Sequence, residues 1–245
     1  MMTEPRNSST ARPIHIQTDW TDAPAASVLI ACGRTRVLCT ASIDKDVPPF
    51  RIDRGGWLTA EYAMLPGSSP RRVRRPGVKP DGRATEIQRL IGRSLRAGFD
   101  LDRLGPRAIW IDCDVLEADG GTRTTAITGG YLAARIAIER LIHDGLVDRA
   151  VLLPAVAATS VGIVGGEPRL DLDYAWDSTA DVDMNVVMND AGEFIEVQGT
   201  GERRAMSRAE LNTLLDLAEG GIKNCFEQQK KALFEALARR PGVAR

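Results

Sequence analysis

Twice along this 245-residue chain, short apolar runs joined by glycine turns give way to a long helical pattern. That order constrains the fold strongly, because hairpins pair locally and each helix must then cover the sheet it follows. In the first half, apolar runs at 27–32 and 37–43 flank Gly33-Arg34, a hairpin signal, and a third strand is predicted at 57–64. A helix from Thr85 puts Ile87, Leu90, Ile91 and Leu95 on one face, with Arg89, Arg93 and Arg96 mostly off it. Residues 108–116 alternate, Ile109, Ile111, Cys113 and Val115 against Trp110, Asp112 and Asp114, which reads as a strand. Thr122 to His143 reads as a buried helix, and Ala126, Gly129 and Gly130 give it room for close contact.

The second half repeats the grammar. Runs at 156–164 and 169–174 flank Gly165-Gly166, and runs at 184–188 and 194–197 flank a turn at 189–192. Ser207 and Glu210 match a capping box that opens a helix to Leu237, with a break expected at Gly220-Gly221. The chain therefore reads as an α+β protein, one domain of two similar β-rich layers over 13–238. Loose tails are expected at 1–12 and 239–245.

Several classes fall away. Mean hydropathy is −0.17, and no 18-residue apolar run offers a transmembrane span. The first twelve residues are polar and lack an apolar run, so no secretory signal is read there. The four cysteines lie far apart, as expected of reduced thiols in a cytoplasmic protein. His15 and His143 are the only histidines, too few for a Cys/His zinc centre.

A net charge of −1 hides an uneven distribution. Residues 71–107 carry ten Arg and one Lys against four acids, whereas 171–202 carry nine acids and no Lys or Arg. Clustered guanidinium forks suit phosphate oxygens, and a carboxylate block suits a divalent cation. Both are also what two solvated faces would look like. Between them, residues 65–82 hold four Pro, three Gly and five Lys or Arg, a basic loop longer than most structural connections.

Three constellations can carry chemistry. The string DGGTRT at 119–124 is a strand end feeding a helix start, where glycines let the backbone approach an anion and the first N–H groups point at it. It lacks the pattern of a nucleotide-triphosphate loop, and a Gly-Gly turn with a Thr cap is equally a plain helix start. Arg123 in that first turn opposes the helix dipole, so something anionic is expected opposite it. Asp81-Gly82-Arg83 ends the basic loop, and Arg83 can reach the same anion or lie on the surface. Asp177, Asp181 and Asp183 precede a strand; alternation puts Asp181 and Asp183 on one side, with Asp177 in the preceding turn. These acids are either a solvated strand end or a site where a cation or shared proton relieves their repulsion.

Taken together, the strings resemble the ribonuclease PH family, phosphorolytic 3′→5′ exoribonucleases that trim tRNA ends. The resemblance is carried by GWLTAEYAMLP at 56–66, GRATEIQRLIGRSLR at 82–96, DCDVLEADGGTRT at 112–124, Asp173-Tyr174, Asp177-Ser178, DMNVVM at 183–188 and IEVQGT at 195–200. It implies a duplicated βαβ-type fold assembled as a homohexamer, a trimer of dimers, in the cytoplasm. It further implies inorganic phosphate held by Arg83, Gly121, Thr122 and Arg123, with Asp177 and Asp183 as catalytic acids and as ligands of Mg²⁺. RNA, not DNA, is the implied partner, and nucleotide addition is the implied reverse reaction. Two RNA-guiding arginines fall on Arg72 and Arg75. The family's third falls on Gly67, with Arg71 and Arg74 nearby to compensate. Ala175 and Trp176 stand where the family usually has acids. The rival readings are a catalytically silent exosome-like ring subunit, a small-molecule phosphotransferase and a plain RNA-binding module. A silent subunit would typically have lost the phosphate arginines or the acids, and all of these are present here.

Overall fold

The computed structural model describes residues 6–75 and 82–240. Among the described residues, nine strands form two sheets. The first contains β1 (Ile14–Thr18), β2 (Ala26–Cys32), β3 (Thr35–Asp44), β4 (Trp57–Met64) and β5 (Ala108–Glu117), ordered β1-β2-β3-β5-β4. The second contains β6 (Val156–Val164), β7 (Glu167–Leu170), β8 (Val182–Asn189) and β9 (Phe194–Gly201), ordered β7-β6-β8-β9. Helices α1 (Gly82–Arg96), α2 (Thr122–His143), α3 (Tyr174–Asp177) and α4 (Arg208–Arg239) complete the described fold. The α+β expectation holds.

The hairpins form where glycine allows the turn. Gly33 has φ 58°, and Gly165 and Gly166 have φ 60° and 82°, in the left-handed region that costs other residues most. One pairing differs in kind. β4 and β5 run parallel, joined through α1, so the first sheet contains a βαβ unit. Both strands consequently end at the same edge, and the loops that follow them converge there.

Helix α2 is apolar on nearly every side because it packs against β2, β3 and β5 of the first sheet and against β6 of the second. Gly129 permits the closest approach: a Cβ there would come within 2.5 Å of Ile30 Cγ2 and 2.9 Å of Cys39 Sγ. The predicted face of α1 (Ile87, Leu90, Ile91, Leu95) is fully buried in this core. A second core joins α4, through Leu214, Ala218 and Ile222, to Val161, Met184 and Val186 of the second sheet.

Four expectations need correction. Strand β1 stands outside the sequence reading: its five residues are too short a pattern, and pairing with β2 makes them a strand. The predicted strand at 169–174 stops at Leu170, because Asp171 has φ 57° and turns the chain toward α3. Helix α4 runs through Gly220-Gly221 without a break, since Gly221 packs on Leu170 and a helical glycine costs only about 1 kcal/mol. Residues 6–12, expected as loose tail, are anchored: Arg12 is buried and its backbone and side chain hold Asp171 at 2.7–2.8 Å. At the other end, the Arg240 carbonyl accepts from Arg140. Residues 1–5 and 241–245 lie outside the described residues.

Candidate active site

The two loops that leave the parallel pair β4 and β5 meet the α3–β8 segment of the second sheet around a cleft of about 1010 Å³. Arg83, Gly121, Thr122, Arg123, Asp177 and Asp183 all line it. Sequence positions a hundred residues apart are thus gathered by the strand order. Arg71 lines the mouth, whereas Arg72, Arg74 and Arg75 are exposed beyond the lining residues. Asp81 lies outside the described residues.

The start of α2 is built to stay open. Gly121 is its N-cap in the left-handed conformation (φ 66°), and among the described residues no side-chain cap is seen there. Thr122 is the first helical residue, as the sequence reading placed it, and its Oγ1 accepts a hydrogen bond from Tyr62 Oη at 2.9 Å. The turn itself is gripped from behind. Thr35 Oγ1 donates to the Gly120 carbonyl (2.6 Å) and accepts from the Asp119 N–H (2.9 Å), while Arg12 donates to the Asp119 carbonyl. Gly120 meets the backbone of Leu172 and Asp173 so closely that a Cβ would collide.

The anion expected opposite Arg123 is Glu86, at 3.3 Å, which also accepts from Gln198 at 3.1 Å. Helix α1 thereby aims an arginine that the α2 dipole would repel. Burial, then the charge of Asp177, pushes Asp183 up to about 6. Asp177 is exposed on one side, yet partial loss of water in the cleft also raises it, against the pull of Arg123 and Arg83. Asp183 pairs with Gly162 and Thr200 on the neighbouring strands, so its backbone is fixed in mid-sheet.

Sequence reasoning passed over the supports: Tyr62, Thr35, Glu86, Gln198, and Arg12 with Asp171. Nothing local marks most of them, since each acts across elements; only Asp171 sat in the acidic block. Asn185 and Ser160, register partners on β8 and β6, also line the cleft without a sequence signal. Among the described residues, no group of three or more His, Cys, Asp or Glu forms a metal cluster, and no helix is long and apolar enough to cross a membrane.

Residues 10–158 match the profile of the 3′ exoribonuclease family, domain 1, and residues 155–221 match its domain 2. Ribonuclease PH of Corynebacterium efficiens is 56% identical over 225 residues, covering 91% of this chain and 92% of that protein. The chain belongs to the ribonuclease PH family. Two further family relatives, from Crocosphaera subtropica and Bacillus mycoides, are 53% and 52% identical over 94% and 97% of this chain, and 97% and 99% of their own lengths. Solved structures share the ribonuclease PH fold at lower identity. Rice Rrp46 superposes with a TM-score of 0.75 at 16% identity, over 93% of this chain and 98% of that one. A chain of the Archaeoglobus fulgidus exosome with RNA bound to the active site gives 0.76 at 19%, over 91% and 90%.

Proposed function

We propose that the cleft performs phosphorolytic 3′→5′ exonucleolysis on RNA. Inorganic phosphate sits between Arg83, Arg123 and the uncapped N–H groups at Gly121 and Thr122, where charge-assisted bonds and the helix dipole favour it. One of its oxygens attacks the phosphorus of the last phosphodiester. The bond to the RNA 3′ oxygen breaks, a nucleoside 5′-diphosphate leaves, and the 3′ oxygen takes a proton. Asp183 is the donor of that proton, because its carboxyl holds a proton nearer neutrality than an ordinary acid. An anhydride replaces a phosphodiester, so nucleotide addition runs by the same path in reverse.

One observation carries the reading: Arg83, Arg123 and an open helix N-terminus share a single cleft with the Asp177–Asp183 pair. The same groups argue against a silent ring subunit. Two carboxylates completed by substrate phosphate oxygens are a donor set that Mg²⁺ accepts, so Asp177, joined by Asp183 once its proton has passed to the 3′ oxygen, would hold it. When bound, it would neutralise charge on the transferring phosphoryl group. The exposed Arg72 and Arg75, with Arg71 and Arg74, would grip tRNA and other RNA 3′ ends. Assembly as a homohexamer is supported by likeness to exosome chains, and a cytoplasmic setting by four unpaired cysteines.

The test is product analysis. RNA with phosphate should release nucleoside diphosphates, and Arg123→Ala or Arg83→Ala should abolish that release with the fold intact, each losing contacts of about 1.5–3 kcal/mol. Release of monophosphates by the wild type, or normal turnover by both variants at limiting phosphate, overturns the assignment.

A further inference from the structure

The helix that presents Asp177 is a single turn of four residues, Tyr174–Asp177. Isolated turns of this length do not hold themselves together, so its geometry must come from outside. Its two sides are unlike. Tyr174, Asp177 and Ser178 line the cleft, whereas Trp176 lies between two arginines. The guanidinium carbon of Arg6 is 4.3 Å from the centre of the Trp176 ring, and that of Arg169 is 4.4 Å from it.

Each arginine is fixed in turn. Arg6 donates to Asp171 Oδ2 at 3.0 Å and lies 3.9 Å from Asp173. Arg169 pairs with Glu167 at 3.0 Å. Asp173 is the N-cap of the short helix and accepts from the Trp176 N–H at 3.0 Å. The segment around Arg6 is itself attached to the second sheet, where the Ser8 carbonyl accepts from the Leu170 N–H at 2.7 Å. The Nε groups of Arg6 and Arg169 are buried without hydrogen-bond partners among the described residues, so both forks gain compensation from the indole ring.

We infer that Trp176 is a positioning residue: the Arg6–Trp176–Arg169 stack locks the one-turn helix so that Asp177 stands fixed beside Asp183. The ring attracts both guanidiniums. Removing it leaves two like charges without the π system that holds them, and the helix loses a large aromatic anchor. The N-terminal segment thereby becomes a working part of the catalytic half of the cleft. Phosphate binding is a separate matter, since its holders Arg83, Gly121 and Arg123 sit on α1 and α2. This inference rests on the proposed phosphorolysis, with wild-type release of nucleoside diphosphates as its control.

The experiment compares Trp176→Ala, Trp176→Phe and Arg6→Ala with the wild type on a short RNA, at matched folded fraction by circular dichroism. Trp176→Ala and Arg6→Ala should each lower kcat, by about 10- to 100-fold if the carboxylate drifts by about 1 Å, while KM for phosphate stays within about twofold. Trp176→Phe keeps a π face and should recover most of kcat. In the Trp176→Ala background, adding Arg6→Ala should cost little more. Wild-type kcat in both alanine variants, or a rise in KM for phosphate matching the loss of rate, overturns the proposal. If Trp176→Ala does not fold, Arg6→Ala and Trp176→Phe decide the matter by the same two parameters.

Discussion

Tyr62 donates its phenolic hydrogen to Thr122 Oγ1 across 2.9 Å, joining β4 to the first turn of α2. Tyr62 is 4% exposed, whereas Thr122 lines the cleft. Because the threonine oxygen accepts from the phenol, its own hydrogen is free to be donated to another acceptor.

Tyr62→Phe should therefore loosen phosphate without harming the fold. One hydrogen bond of about 0.5–1.5 kcal/mol corresponds to a rise in KM for phosphate of about 2- to 12-fold. Steady-state kinetics at saturating RNA measures it. An unchanged KM would mean that Thr122 needs no orienting partner.

Asp183 offers a pH test. Its folded pKa, about 6, lies above the ordinary carboxylate value, so the folded state keeps this proton longer than the unfolded state does. Between those two values stability from this group falls as pH rises, and above about 6 the proton available to the RNA 3′ oxygen is lost. Carbon-13 NMR of Asp183 without divalent cation should show a midpoint near 6, and Asp177→Asn should move it down by removing the neighbouring charge. Asp183→Asn should lose activity with little change in RNA affinity. A midpoint at the ordinary value in the wild type would withdraw the proton-donor role.

Much of this site was legible because its chemistry is local. The Gly-Gly turn with Arg123, the acids at the start of β8 and in the turn before it, and the apolar face of α1 are each written within a few residues. The supports were not, because contacts such as Thr35 to Gly120 or Arg12 to Asp171 join positions 85 and 159 residues apart. Charge misled at the start of the chain, where polar residues that suggest a tail serve as ion-pair partners of a buried carboxylate. Length misled at β1, and helix propensity at Gly220-Gly221, where the contacts of the flanking turns outweigh two glycines.

Arg140 offers a stability test away from the cleft. It is fully buried in α2, and it donates to Asp19 (2.8 Å), to the Ala25 carbonyl (2.7 Å) and to the Arg240 carbonyl (2.9 Å), tying the β1–β2 connection and the end of α4 to the core. Arg140→Ala leaves a carboxylate and two carbonyls without their donor. Removing one partner of a buried pair costs about 3–5 kcal/mol, so urea unfolding should show a loss of that size. A loss below about 1 kcal/mol, the range of an exposed pair, would mean that water reaches the site.

The basic loop divides its arginines by role. Val73 N–H donates to the Pro66 carbonyl at 3.0 Å and Ser69 Oγ to the Arg71 carbonyl at 2.8 Å, so the first half of the loop is folded back on itself. All four arginines are exposed, but of them Arg71 alone lines the cleft. Exposed guanidiniums close together repel one another and draw in a polyanion from a distance. Each phosphate contact on single-stranded RNA contributes a salt slope of about 0.7, so Arg72→Ala/Arg75→Ala should flatten the slope by about 1.4. Binding of structured tRNA should weaken strongly, while cleavage of a very short oligonucleotide at saturation should change little, since Arg72 and Arg75 lie beyond the residues that line the cleft. Turnover on both substrates across a salt series measures the difference. Equal loss of maximal rate on the two would assign these arginines to the chemistry and not to capture.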